Sequence, residues 1–275
     1  MSRLTIYFTL HRFRSELRNE DFLRAFQDCD SFLVEAADQW PSDEWQDQYN
    51  ELSQGRRDTL GGLIENLLPP LPFQRELECR IYCSGKKIVL EHSRFSSNAT
   101  PRDYIDPFSG FQKDFDEALT QYKVRCQETA TRMVQQDRDL LGLIENQLKG
   151  EVRLLTFRGA AHQNWICELL ESRNIKPKVI RFLPRKTSDE RVLEPLTLGE
   201  KVSDVEYLKR IYVQWNAKEE LEKHLEVEAQ AEAMTDMSLR AWIVSYVASI
   251  HSLQPTRRTD LSLRDTSRSL KNSPR

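Results

Sequence analysis

The chain has 275 residues, of which 39% are hydrophobic and 30% are charged, and its formal net charge at pH 7 is −3. This balance is typical of a globular protein with a sizeable core, and it excludes a mostly disordered chain. The near-neutral charge argues against a nucleic-acid-binding protein, and no apolar run reaches the ~20 residues that a membrane-spanning helix needs.

The N-terminus and the cysteines indicate a cellular compartment. A β-like run begins at Leu4, which leaves no room for a cleavable apolar leader. The five cysteines are odd in number and form no CxxC pair, as expected for reduced thiols. Together these features predict a cytoplasmic protein.

Short β-branched and aromatic runs alternate with longer helical patterns, which is the signature of βαβ units. The alternation predicts an α/β fold with a mostly parallel sheet covered by helices. The predicted strands are Leu4–Leu10, Ser31–Glu35, Lys87–Glu91, Val152–Phe157 and Lys178–Phe182.

Apolar residues at three-and-four spacing predict the helices between these strands. The strongest such pattern predicts one long helix, or two collinear ones, from Phe111 to Leu148. Shorter helices are predicted over Glu20–Cys29, over Trp40–Leu68 with an interruption near Gly55, and over Gln163–Arg173.

We expect three regions: an α/β core over residues 1–200, a C-terminal helical extension over 201–253 and a disordered tail over 254–275. In the extension, Ser203 and Glu206 have the spacing of a capping box. A further helix over Leu239–Leu253 is predicted to pack on the body or on a protein partner. The tail has six basic and two acidic residues, so its charge of +4 contrasts with −7 for the rest.

Two segments of the core read alike. Thr5–His11 and Leu155–His162 each begin with a predicted strand that runs into a histidine, and each is followed by a predicted helix and another strand. The similarity suggests that a strand-histidine-helix unit occurs twice.

Polar residues follow the predicted strands. Ligands in open α/β sheets bind outside the carboxyl ends of the strands. His11 follows the first strand, Glu35 closes the second, Glu91 and His92 close the third, and His162 follows the fourth. Two imidazoles and one or two carboxylates suit a divalent ion such as Mn, Co or Zn. In the alternative interpretation, each histidine only hydrogen-bonds a neighbouring loop.

Other residues near these strand ends could take part. Gly159 allows a tight turn and a close backbone approach to a bound cofactor, and His162 in the first helical turn would have a neutral ring. Burial of Glu35, which follows three apolar residues, is costly unless it is paired or coordinated. Arg138, at the edge of an apolar helical stripe, could hold a carboxylate or a substrate oxygen, the alternative being an exposed ion pair with Glu145 or Asp137.

The pattern of these residues resembles the motif pattern of a superfamily that includes TraB-type pheromone-shutdown proteins, Tiki-type metalloproteases, erythromycin esterases and ChaN haem-binding proteins. The resemblance spans residues 3 to 183. Gly159-Ala160-Ala161-His162 matches the second Gly-x-x-His motif of that family, and Phe8-Thr9-Leu10-His11 resembles the first, with Phe8 in place of glycine. Phe32-Leu33-Val34-Glu35 resembles the family's strand and glutamate, and Asp137-Arg138-Asp139 its arginine-bearing helix.

The resemblance implies a metal-dependent hydrolase of amide or ester bonds, acting on an unknown small-molecule or peptide substrate. His11, His162 and Glu35 would be ligands or base, Glu91 a further ligand, and Arg138 would stabilise the oxyanion. The alternative is a non-catalytic binding or regulatory protein that keeps the pocket, and Phe8 favours it because its side chain would crowd the site. No Gly-x-Ser-x-Gly turn, P-loop or dinucleotide fingerprint is present in the sequence, which argues against those enzyme classes.

Overall fold

The computed structural model describes residues 3–35, 42–60, 72–91, 107–150, 152–218 and 220–253. Five strands form one parallel sheet in the order β3-β2-β4-β1-β5. The strands are β1 (Leu4–Thr9), β2 (Ser31–Glu35), β3 (Lys87–Glu91), β4 (Leu154–Gly159) and β5 (Lys178–Arg181). The predicted α/β class with a parallel sheet is therefore confirmed.

Helices surround this sheet and extend beyond it. In chain order they are α1 (Glu20–Asp28), α2 (Ser42–Ser53), α3 (Pro72–Ile81), α4 (Pro107–Lys113), α5 (Phe115–Leu148), α6 (Gln163–Glu171), α7 (Ser188–Thr197), α8 (Asp204–Trp215), α9 (Leu221–Ala233) and α10 (Asp236–Leu253). Short 3₁₀ segments cover Arg14–Arg18 and Ala160–His162. None of the helices in the described ranges is long and apolar enough to cross a membrane.

Strands β1 to β4 are buried on both faces because they are apolar on both sides, whereas the edge strand β5 is partly exposed. On one face, residues such as Tyr7, Phe32 and Phe157 form a core with α1, α2 and α3. On the other face, Ile6, Phe8 and their neighbours pack against the C-terminal half of α5 and against α6.

A third apolar cluster joins the C-terminal helices to the rest. Residues of α7 to α10 pack on α4 and the N-terminal half of α5, and Ala161 beside the end of β4 belongs to the same cluster. The long α5 thus contacts the sheet with one half and the C-terminal helices with the other. As a result, α7, α8 and α9 lie next to the carboxyl ends of β1 and β4.

One local prediction needs correction. The capping box predicted at Ser203 does not form, since the Ser203 side chain makes no cap hydrogen bond and Glu206 pairs with Arg191 and Lys209. Of the two alternatives predicted for Phe111–Leu148, one long helix or two, the structure has two helices, α4 and α5, with Asp114 capping the second. The predicted disordered tail over 254–275 lies outside the described residues.

Candidate functional site

A pocket of about 230 Å³ opens at the carboxyl ends of β1 and β4. Its walls come from Thr9 and the loop after β1, from the turn 159–162 after β4, and from α5, α7, α8 and α9. This is the end of a parallel sheet at which α/β proteins bind their ligands.

His162 lies on the pocket wall and is oriented by Asp137 of α5. Its Nδ1 is 2.9 Å from both carboxylate oxygens, and Asp137 is completely buried. An ionised carboxylate can only accept, so Nδ1 carries a proton and donates it, and in the uncharged form of the ring Nε2 is then an acceptor. The pair therefore fixes both the tautomer and the orientation of the imidazole.

Arg158 at the end of β4 connects Asp137 to Glu91. Its side chain is fully buried, its Nη2 donates to Glu91 Oε1 at 2.6 Å, and its Nε is 3.4 Å from Asp137 Oδ1. A buried cation between two buried carboxylates compensates charges that would each be costly alone. Glu91, Arg158, Asp137 and His162 form a continuous polar chain from β3 to the pocket.

His11 lies in a different environment from His162. It has a left-handed φ of 54°, and its ring packs against Phe73 and Phe157, with ring centroids 5.4 and 5.1 Å away. Phe157 belongs to the core on the α1–α3 face, whereas Asp137, the partner of His162, lies on α5 on the opposite face. The expected pairing of the two histidines in one donor set is thus not seen in these contacts.

The predicted carboxylates divide into two cases. Glu91 is placed near the site, but as the partner of Arg158. Glu35 closes β2 in register with Glu91, while its side chain and His92 lie outside the described part of the structure. The predicted contact between Glu35 and Arg138 therefore stays a prediction, because the Glu35 side chain is outside the described part of the structure.

Arg138 was predicted to stabilise an oxyanion, and its position argues against that role. The side chain is exposed, and its guanidinium lies over the Trp165 ring, 5.8 Å from the centroid. It lines a separate shallow groove on α5. One residue corresponds to about 100° around a helix, so Asp137 faces inward while Arg138 faces outward.

Phe8 differs from its predicted position, whereas Gly159 lies at the turn after β4 on the pocket wall, and its role in binding a cofactor stays a prediction. The side chain of Phe8 is fully buried in the core against α5, so the predicted crowding of the site is wrong. Gly159 has a φ of −56°, which any residue adopts. A Cβ there would lie 3.4 Å from His162 Cδ2, which is an ordinary van der Waals contact, so the position of the imidazole does not require a glycine.

The described residues contain no group of three or more His, Cys, Asp or Glu side chains placed to hold a metal ion. The contact of His162 Nδ1 with Asp137 is one that metal-binding histidines often make, since they usually donate their other N–H to a carboxylate. The same arrangement also suits a general base. One oriented imidazole fits the second role without further donors.

Asp137 and Arg158 were missed as site residues although the sequence carries a signal for each. Asp137 is four residues from both Met133 and Leu141, so it belongs to the buried stripe of α5. Arg158 directly follows the apolar run of β4, whose predicted end at Phe157 fell two residues before the observed end at Gly159.

Comparison with known proteins gives no family assignment. No protein-family model matches the sequence, and neither curated proteins nor solved structures give a match. The resemblance to the TraB and Tiki superfamily therefore rests on the short motifs alone.

Proposed function

We propose that this protein hydrolyses amide or ester bonds, with His162 as the group that activates the attacking water. The observation that carries the proposal is the 2.9 Å contact between His162 Nδ1 and the buried Asp137 carboxylate. Nε2 of the oriented ring can accept a proton from water, and the carboxylate stabilises the imidazolium that results.

The pocket limits the substrate. Its volume of about 230 Å³ is below the ~300–1,000 Å³ of typical drug-sized ligand sites. It suits a small molecule or the end of a peptide. The proposed substrate class is therefore a small ester, a small amide or a terminal peptide bond.

The first test is a hydrolysis screen on the purified full chain with short p-nitrophenyl esters and p-nitroanilides. We expect turnover by the wild type that His162→Gln removes, because glutamine cannot act as a base at neutral pH. Arg138→Gln is the matched control and should keep the wild-type rate, since Arg138 is exposed outside the pocket. Equal turnover by His162→Gln and the wild type would rule out the proposed role of His162.

Metal dependence is a separate part of the proposal. If Mn, Co or Zn takes part, His162 Nε2 is the donor that the site offers, and the freshly purified protein should carry one equivalent of the ion by elemental analysis. His162→Ala should then lose it. Loss of the ion in His11→Ala as well would show that His11 is also a metal ligand. Wild-type protein without stoichiometric metal would contradict the metal-dependent form of the proposal.

The non-catalytic alternative keeps the same pocket and differs only in turnover. Phe8 does not favour it, since its side chain fills the core rather than the pocket. The hydrolysis screen decides between the two functions. A protein partner at the C-terminal helices, where Met237 and Val244 of α10 are exposed, and a cytoplasmic location both stay predictions.

A further inference from the structure

Two polar side chains on the pocket wall have unused binding capacity. Arg12, in the loop after β1, forms no ion pair with any residue in the described ranges, and its guanidinium lies 5.8 Å from the Phe13 ring centroid. His224 of α9 is 5% exposed, and its ring packs against the same Phe13 ring, with the two centroids 5.5 Å apart. Its Nδ1 is buried without a hydrogen-bond partner among the described residues, and its Nε2 is 4.0 Å from Glu228 Oε1. A buried nitrogen without a partner costs free energy that a ligand can recover.

The loop that carries Arg12 is held in place before any ligand binds. The buried Glu16 carboxylate accepts backbone N–H groups from Leu10, Arg12 and Phe13 at 2.5, 2.9 and 2.7 Å. Because the backbone on both sides of Arg12 is fixed, only its side chain must be ordered on binding. Such preorganisation lowers the entropic cost of binding.

The acidic groups of the pocket are already compensated. Asp189 accepts from Arg210 Nε at 2.6 Å, and Glu190 pairs with Arg181 at 2.5 Å. Glu228 accepts from the backbone and the hydroxyl of Ser188 at 3.0 to 3.1 Å. The Arg12 charge is therefore left for a ligand.

His224 can add an uncharged N–H donor to the positive charge of Arg12. Burial and the neighbouring Arg12 lower the pKa of His224, so that its ring is uncharged at neutral pH. A neutral imidazole has one N–H, and an anion beside Nδ1 selects the tautomer in which Nδ1 donates.

We propose that Arg12 and His224 bind a carboxylate group of the pocket's ligand. One guanidinium and one N–H donor match the single charge and two oxygens of a carboxylate, whereas a phosphate brings a third oxygen and close to two charges. Calling this ligand the substrate rests on the proposed hydrolytic function, while the binding itself does not. The substrate class is then a small amide or ester that carries a free carboxylate.

N-acetylglycine and N-acetylglycinamide test the proposal, because they have nearly the same shape and differ in charge. Binding is measured on full-length His162→Gln protein from the imidazole NMR signals of His224, assigned by their loss in His224→Phe. We expect saturable shifts with N-acetylglycine, and binding that is about tenfold or more weaker for the amide and after Arg12→Gln. Arg14→Gln is the matched control, since this exposed arginine does not line the pocket.

Equal binding of the acid and the amide, or no change on Arg12→Gln, would overturn the carboxylate site. Inorganic phosphate that binds more tightly than N-acetylglycine would overturn the ligand class. The two proposals can be contradicted separately. If the protein binds the carboxylate but the wild type hydrolyses no substrate, only the proposed hydrolytic function is wrong. If the wild type hydrolyses substrates without preferring those that carry a carboxylate, only the proposed carboxylate site is wrong.

Discussion

Replacing Arg158 with methionine is expected to lower the free energy of unfolding by about 3–5 kcal/mol, because it leaves two buried carboxylates without their shared cation. Arg158 is completely buried, and the partners Glu91 and Asp137 are 3% and 0% exposed. Methionine has a similar length and keeps most of the packing, so the loss reports the charge. Chemical denaturation followed by circular dichroism measures it.

Two further variants separate charge from packing. Arg138→Met removes an exposed arginine of α5 and should change stability by less than about 0.5 kcal/mol. Adding Glu91→Leu to Arg158→Met should recover part of the loss, because one of the two carboxylates that lose this cation is removed with its charge. A cost below about 1 kcal/mol for Arg158→Met would show that the carboxylates are not dependent on this cation.

Much of the sheet could be predicted because its strands are continuous apolar runs. Ser31–Glu35 and Lys87–Glu91 form as predicted. The two similar segments, Thr5–His11 and Leu155–His162, lie side by side in the sheet. Their strands β1 and β4 are parallel neighbours, with Thr5 opposite Leu155 and Thr9 opposite Gly159. Strand ends were predicted less accurately than strand positions. Because the predicted β4 ended at Phe157, Arg158 was not recognised as a residue of the sheet.

The two histidines were harder to place because the similarity shifts by one residue after the strands. His11 is two residues beyond Thr9, and His162 is three residues beyond its partner Gly159. Loop geometry then decides their directions, and His11 turns into a left-handed conformation towards Phe73. The spacing of residues in the sequence does not predict this loop conformation.

Pairing of distant residues was also beyond the sequence. The capping-box spacing of Ser203 and Glu206 is also found at Thr187 and Glu190, and of these two boxes only the one at Thr187, where α7 begins, forms. At the first, Arg191 pairs with Glu206 through the packing of α7 on α8. The same dependence on packing explains why Asp137, 25 residues before His162, could not be assigned as its partner.

The largest effect on turnover is expected at the Asp137–His162 pair. Asp137→Asn keeps the size of the side chain, but an amide NH₂ facing Nδ1 favours the tautomer whose proton is on Nε2, so the ring cannot accept a proton from water. We expect kcat to fall about 10²- to 10⁴-fold, with a smaller change in KM. His162→Gln should give a similar loss.

The double variant distinguishes a working pair from two independent contributions. Residues that act as a unit are not additive, so Asp137→Asn with His162→Gln should be no slower than His162→Gln alone. Rates are measured where circular dichroism shows each variant folded, since Asp137 also contacts the buried Arg158 at 3.4 Å. Glu128→Gln, an exposed carboxylate of the same helix, is the matched control and should keep the wild-type kcat. Multiplicative losses in the double variant, or full activity in Asp137→Asn, would mean that the carboxylate supports the fold without orienting the histidine for catalysis.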